Sequence, residues 1–171
     1  MSETLQVGNV DRTGRVAPRG ESRPGGVVAA AGAAALVVAG GLVAYATYGD
    51  PSSKADQRSG VPFLVGICVI LAAVVFGVLV PKGLRALRDA TPHARRWPLA
   101  LGIVGVVLMP AFWSGAPIIV GAGALVLGIA ARRDAAEQGR STASATAAVV
   151  LGLIATVLPV VVTILGNTVA H

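Results

Sequence analysis

The 171 residues are 54% hydrophobic and only 13% charged, with 22 glycines, 4% aromatic residues and a single cysteine; the mean hydropathy is +0.75. A soluble domain of this size carries about a quarter charged residues, so a soluble globular domain, a disordered chain and a disulfide scaffold are all excluded, which leaves an integral membrane protein. The net charge of +6 comes from 14 Lys and Arg against 8 Asp and Glu, and all of them lie outside the apolar runs, so the excess reads as a topology signal and no nucleic-acid partner is expected.

In chain order, residues 1–26 are polar and rich in Gly, Pro and Arg with no apolar periodicity, which predicts a disordered cytoplasmic tail. Residues 27–171 then form a transmembrane helical domain. Val27 to Tyr48 is an uncharged run of 22 residues, enough for a helix of about 1.5 Å rise per residue to cross a core of about 30 Å. Ala44-Tyr45-Ala46 near the end of this run resembles a signal-peptide cleavage site, but the run is longer than a usual h-region and is read as an uncleaved first span, 27–48. A polar loop, Asp50 to Gly60, precedes a second span at 61–80, bounded by Pro62 and Pro81. The segment from Pro81 to Trp97 is the most basic of the chain, with Lys82, Arg85, Arg88, Arg95 and Arg96 against Asp89 alone.

Pro98 to Ala131 is 34 residues without a charge. As one helix it would be about 51 Å long, far more than a bilayer core needs. Pro110 and the run Trp113-Ser114-Gly115-Ala116-Pro117 interrupt it with helix breakers, which predicts two short spans, 98–112 and 117–131, joined as a hairpin with Trp113 at the interface. A re-entrant hairpin is the competing geometry, because each arm has only about 15 residues. A second polar loop runs from Arg132 to Ser141, and a fifth span, 142–165, follows with Pro159 as a candidate kink. The expected fold is therefore all-α, an integral membrane bundle of five transmembrane helices.

Five spans put twelve Lys and Arg on one side and two on the other, whereas four spans give nine against five. The positive-inside rule then places the N-terminus in the cytoplasm and the C-terminus outside. The predominance of Arg over Lys, with so much Ala and Gly, suits a GC-rich bacterial genome, so the expected location is the bacterial cytoplasmic membrane.

No Asp, Glu, Lys, Arg or His falls within the five spans. Proton relays and ion pathways usually carry such groups because they are costly in lipid, so their absence argues against a coupled pump. Cys68 lies in mid-span, and His93 and His171 fall on opposite sides, so no nucleophile–base pair or metal-ligand set converges. No stretch outside the apolar runs exceeds about 26 residues, too short for a separate catalytic domain. No catalytic, cofactor-binding or metal-binding residue is assigned, and no cofactor is expected. Gly121 and Gly123 do not complete a dinucleotide fingerprint, since position 126 is Val.

Two features remain. Small residues recur at helical spacing: Ala31, Ala35 and Ala39 with Gly32 and Gly40 beside them; Gly102 and Gly105; Gly121, Ala124, Gly128 and Ala131; Ala145, Ala148, Gly152 and Ala155. Such stripes let helix backbones approach closely, either among this chain's own spans or against a protein partner or second copy. The basic residues Lys82, Arg85, Arg88, Arg95 and Arg96, with Leu84 and Leu87, suit contact with anionic lipid at an interfacial turn as well as topology setting. The Leu101–Leu108 and Leu151–Leu158 stretches also resemble each other, a weak internal repeat.

Leu101-Gly102-Ile103, Pro110-Ala111-Phe112-Trp113, the run Leu127 to Arg133, Gly139-Arg140 and Leu151-Gly152-Leu153 follow one another in a recognisable order. On these pieces residues 98–166 resemble a family of small multi-pass membrane domains of unknown function from high-GC Gram-positive bacteria. The resemblance implies a membrane location and supplies no catalytic residues. The expected function is that of a non-enzymatic structural or accessory membrane protein acting through lipid or protein contacts; the alternative is a small transporter or channel subunit.

Overall fold

The computed structural model describes residues 24–48, 58–89 and 96–169. The predicted tail before Pro24, most of the first polar loop, Arg95 and His93 lie outside the described residues. Among the described residues there is no strand. The principal helices are α1 (Pro24–Tyr48), α2 (Val61–Arg88), α3 (Arg96–Val107), α4 (Ala116–Glu137) and α5 (Ala143–Val169), with a 3-10 segment, Met109–Ser114, between α3 and α4. Four of them, all but α3, are long and apolar enough to cross a membrane. α3 has 12 residues, a rise of about 18 Å.

Several boundaries depart from the sequence reading. α1 begins at Pro24, inside the stretch assigned to the tail; proline suits a first helical turn, whose N–H groups have no intrahelical partner. The second helix does not stop at Pro81. It runs on to Arg88 through a π-helical stretch at Val75–Leu79, where the Val80 N–H donates to the Val75 carbonyl, five residues back. A proline ring collides with the carbonyl four residues earlier and cannot donate to it; the wider π register just before Pro81 relieves that conflict. The first half of the expected basic loop, through Arg88, is thus the end of a helix. The first arm of the expected hairpin, 98–112, gives way at Val107 to the 3-10 segment, where Ala111 leaves helical geometry at φ −99° and ψ 33°.

The second arm is longer than predicted. Instead of ending at Ala131 it continues to Glu137, because Arg132 to Glu137 contains neither Gly nor Pro and consists of residues that tolerate a helix well. It stops at Gly139 (φ +62°), where the Gly139 N–H donates to the Ala136 carbonyl at 3.1 Å and the Arg140 N–H to the Ala135 carbonyl at 2.8 Å. These are the paired bonds of a Schellman cap. α5 extends the expected 142–165 to Val169 and passes through Pro159 without a break in the helix.

α4 is the central helix: 56% of its apolar window is buried, against 28–33% for the other long helices. Ile118, Ile119, Ala124 and Leu127 are wholly enclosed. Close neighbours fix the directions of the elements around it. A Cβ on Gly115 would meet Ala39 and Cys68, one on Gly123 would meet Val75, and one on Gly83 meets Leu127. α2 therefore runs parallel to α4. A Cβ on Gly32 would meet Phe76, so α1 runs opposite to α2. Gly121 lies against Gly152, and Gly128 against Val149 and Ala145, so α5 runs opposite to α4. Leu87, Ala131 and Ala145 form a small cluster where α2 and α4 end and α5 begins.

The outward faces stay apolar. Val37, Phe63, Ile70 and Val107 are about 70% exposed, and no helix over its apolar length has a polar side. In water such a surface would aggregate; it is compatible with a bundle in lipid, where close packing rather than hydrophobic exclusion would hold the helices together.

Candidate functional site

The small-residue stripes meet one another. A Cβ built on Gly152 would lie 2.7 Å from the Gly121 carbonyl oxygen and 3.0 Å from the Leu125 nitrogen, and one on Gly121 would lie 2.8 Å from the Gly152 carbonyl oxygen. Ala148 and Ala155 are fully enclosed beside them. Gly102 faces Leu151 and Ala148, and Gly105 faces Ala155 and the Gly121 backbone. Gly102, Gly105, Gly121, Gly128, Ala148 and Gly152 thus sit in the contacts among α3, α4 and α5, Ala124 is fully buried in the main core, and these faces are already covered within one chain.

Polar groups inside the bundle are turned onto backbone. The Thr156 hydroxyl donates to the Gly152 carbonyl at 2.7 Å and the Thr163 hydroxyl to the Pro159 carbonyl at 2.8 Å. Cys68, 1% exposed, donates through Sγ to the Ser114 carbonyl at 3.0 Å, joining α2 to the turn before α4. The Ser114 hydroxyl donates to the Ala111 carbonyl at 2.7 Å and accepts from the Ala116 N–H at 3.3 Å. Among the described residues no group of three His, Cys, Asp or Glu side chains gathers to hold a metal.

The basic residues are divided. Lys82, Arg85 and Arg88 are exposed on the last turns of α2, and Arg96 is exposed at the start of α3. Two grooves open at this end of the bundle. One, of about 300 Å³, lies between α1 and α2, with walls including Val28, Phe76, Pro81 and Leu84, and with Arg85 and Arg88 beside it. The other, of about 420 Å³, lies between α1 and α4, walled by Val27, Val28, Leu84, Val126 and Ile129, with Arg133 beside it. Val28 and Leu84 belong to both and form the ridge between them. The structure brings Arg85 and Arg88 to this site and leaves Lys82 and Arg96 off it.

Arg133 was missed as a site residue because the sequence reading ended the fourth span at Ala131. The available signal was the lack of any helix breaker before Gly139, which carries the helix past Arg133. The neighbouring carboxylate is engaged elsewhere: Asp134 accepts from Arg140 at 3.0 Å and from Gln138 at 2.6 Å. Arg85, Arg88 and Arg133 have no ion-pair partner among the described residues. Comparison with protein-family models, with curated proteins and with solved structures gives no match.

Proposed function

We propose that this chain is a multi-pass protein of the bacterial cytoplasmic membrane that works without catalysis, through contacts with lipid or with a protein partner. The observation that carries the reading is the contrast between the two surfaces of the helices. Outward faces are apolar around the bundle, while small residues close the helix contacts, and the Thr156 and Thr163 hydroxyls bond backbone. That combination favours a compact body held in lipid over a polar conduit.

The proposed topology has five crossings, with α3 and α4 as a hairpin and the start of α1 in the cytoplasm. The supporting geometry is the pairing of Gly102 with Ala148 and Leu151, and of Gly105 with Ala155, which runs α3 parallel to α5. Trp97 and Trp113, 40% and 56% exposed, bracket α3 and its 3-10 extension, as an aromatic residue at each interface would. The basic ends of α2 and α4 share one side, the side that the positive-inside rule assigns to the cytoplasm.

Co-purification of a tagged chain from native membranes in mild detergent tests the function. A stoichiometric protein partner supports an accessory role, whereas recovery of the chain alone discards that role and turns attention to transport assays in liposomes. A topology reporter following His171 is expected to score outside, and a cytoplasmic score refutes the five-crossing arrangement.

A further inference from the structure

We propose that the two grooves flanking Val28 and Leu84 hold one anionic phospholipid, with an acyl chain in each groove and its phosphate among Arg85, Arg88 and Arg133. The inference rests on the membrane reading above and names the partner of one end of the bundle. It joins arginines from two helices, 45 or more positions apart in sequence, into one site.

Three observations converge. Each groove has a volume within the range of small-ligand pockets, about 300–1,000 Å³, and its walls are mostly apolar, from Val27, Val28, Leu84, Val126 and Ile129 in the larger one. Val27 and Ile129 are also 54% and 44% exposed, so the larger groove is continuous with the lipid-facing surface and a chain can enter from the side. The cations stand where helices leave the apolar zone, the depth of a headgroup, and their stems can follow the groove walls while the guanidinium groups reach outward.

Charge selects the anionic class. Among the described residues no carboxylate lines either groove, and Asp134 is held by Arg140 and Gln138. A zwitterionic lipid would bring its own cation against three arginines with no described groove-lining carboxylate to receive it. A phosphate without that cation satisfies the arginines by charge-assisted, bidentate bonds. The π-helical stretch contributes to the geometry, since Phe76 lies on it and Pro81 follows it in the wall of the smaller groove.

The test uses the full chain, reconstituted in nanodiscs of phosphatidylcholine and phosphatidylglycerol in equal parts, then released and weighed by native mass spectrometry. One phosphatidylglycerol is expected to stay on each chain in preference to phosphatidylcholine. Arg85→Gln/Arg88→Gln/Arg133→Gln should weaken that retention roughly a hundredfold, from about a fivefold effect for each arginine. Lys82→Gln/Arg96→Gln/Arg132→Gln removes the same charge outside the grooves and should leave it within a few-fold of the parent.

Ala29 lines the smaller groove and Ala130 the larger; Ala29→Phe/Ala130→Phe fills both, keeps every charge and should also lose the lipid, so the site is testable even if the arginine variant misfolds by circular dichroism. Equal retention of the two lipids overturns the proposal, as does equal loss from both glutamine variants, which would mean diffuse surface attraction. A co-purified protein that occupies the grooves in place of lipid overturns it too. A chain absent from the membrane fraction refutes the membrane reading itself, whereas a membrane-inserted chain without the preference refutes only the lipid site.

Discussion

Alanine at Gly152 places a methyl group 2.7 Å from the Gly121 carbonyl oxygen. Close carbon–oxygen contacts in proteins lie near 3.3–3.6 Å, so the backbones of α4 and α5 must part by roughly 0.6 Å at that point. A gap of that size forfeits about a quarter of the dispersion well for each atom pair it opens. Over the contacts of about one buried leucine, some 40–60 pairs at 0.1–0.2 kcal/mol each, the loss is about 1–3 kcal/mol. The same range is found when cores are overpacked. Gly40 lies in α1 with nothing within 4 Å of a Cβ, and its change to alanine should be neutral or stabilising by up to about 1 kcal/mol. Unfolding in mixed micelles, followed by circular dichroism against rising denaturing detergent, should show Gly152→Ala well below the parent and Gly40→Ala at or above it. Gly121→Ala opens the same seam, so the double variant should be less destabilised than the sum of the two. If Gly152→Ala proves as stable as Gly40→Ala, the central seam is not a backbone contact and the packing derived for α4 and α5 is wrong.

Two further outcomes follow from the turn before α4. Cys68→Ala removes the Sγ donor to the Ser114 carbonyl and should cost about 0.5–1.5 kcal/mol; in the parent the buried thiol should react with a maleimide only after denaturation, and rapid labelling of the folded chain would contradict its placement. Gly115 and Gly139 both have positive φ, +71° and +62°, a geometry that costs a residue with a Cβ about 1–2 kcal/mol. A Cβ on Gly115 also lies 3.0 Å from that of Ala39, whereas one on Gly139 meets open space. Gly115→Ala should therefore lower the thermal midpoint more than Gly139→Ala, and the reverse order would refute the close approach of α1 to this turn.

That the chain holds helices long and apolar enough to cross a membrane was legible in the sequence because composition and the length of apolar runs are one-dimensional properties, and a helix closes its backbone hydrogen bonds within itself, as lipid would require. The stripe from Gly121 to Ala131 was likewise visible as spacing, since residues three and four apart share a helix face. Which stripe met which was not visible. That Gly121 meets Gly152 while Gly105 meets Ala155 depends on how five elements stack.

Helix ends were less legible. Pro81 suggested a stop where none exists, because a proline's effect depends on whether the preceding backbone can widen. In this chain Val75 to Leu79 adopts the π register and the helix continues to Arg88. The sequence alone determined that the chain is helical and apolar, with its charges outside the apolar runs. Only the tertiary structure decided that α4 is enclosed by its neighbours and that Arg133 joins Arg85 and Arg88 around two grooves, because local chemistry sets the character of each helix while its neighbours are set by a close-packed solution for all the helices at once.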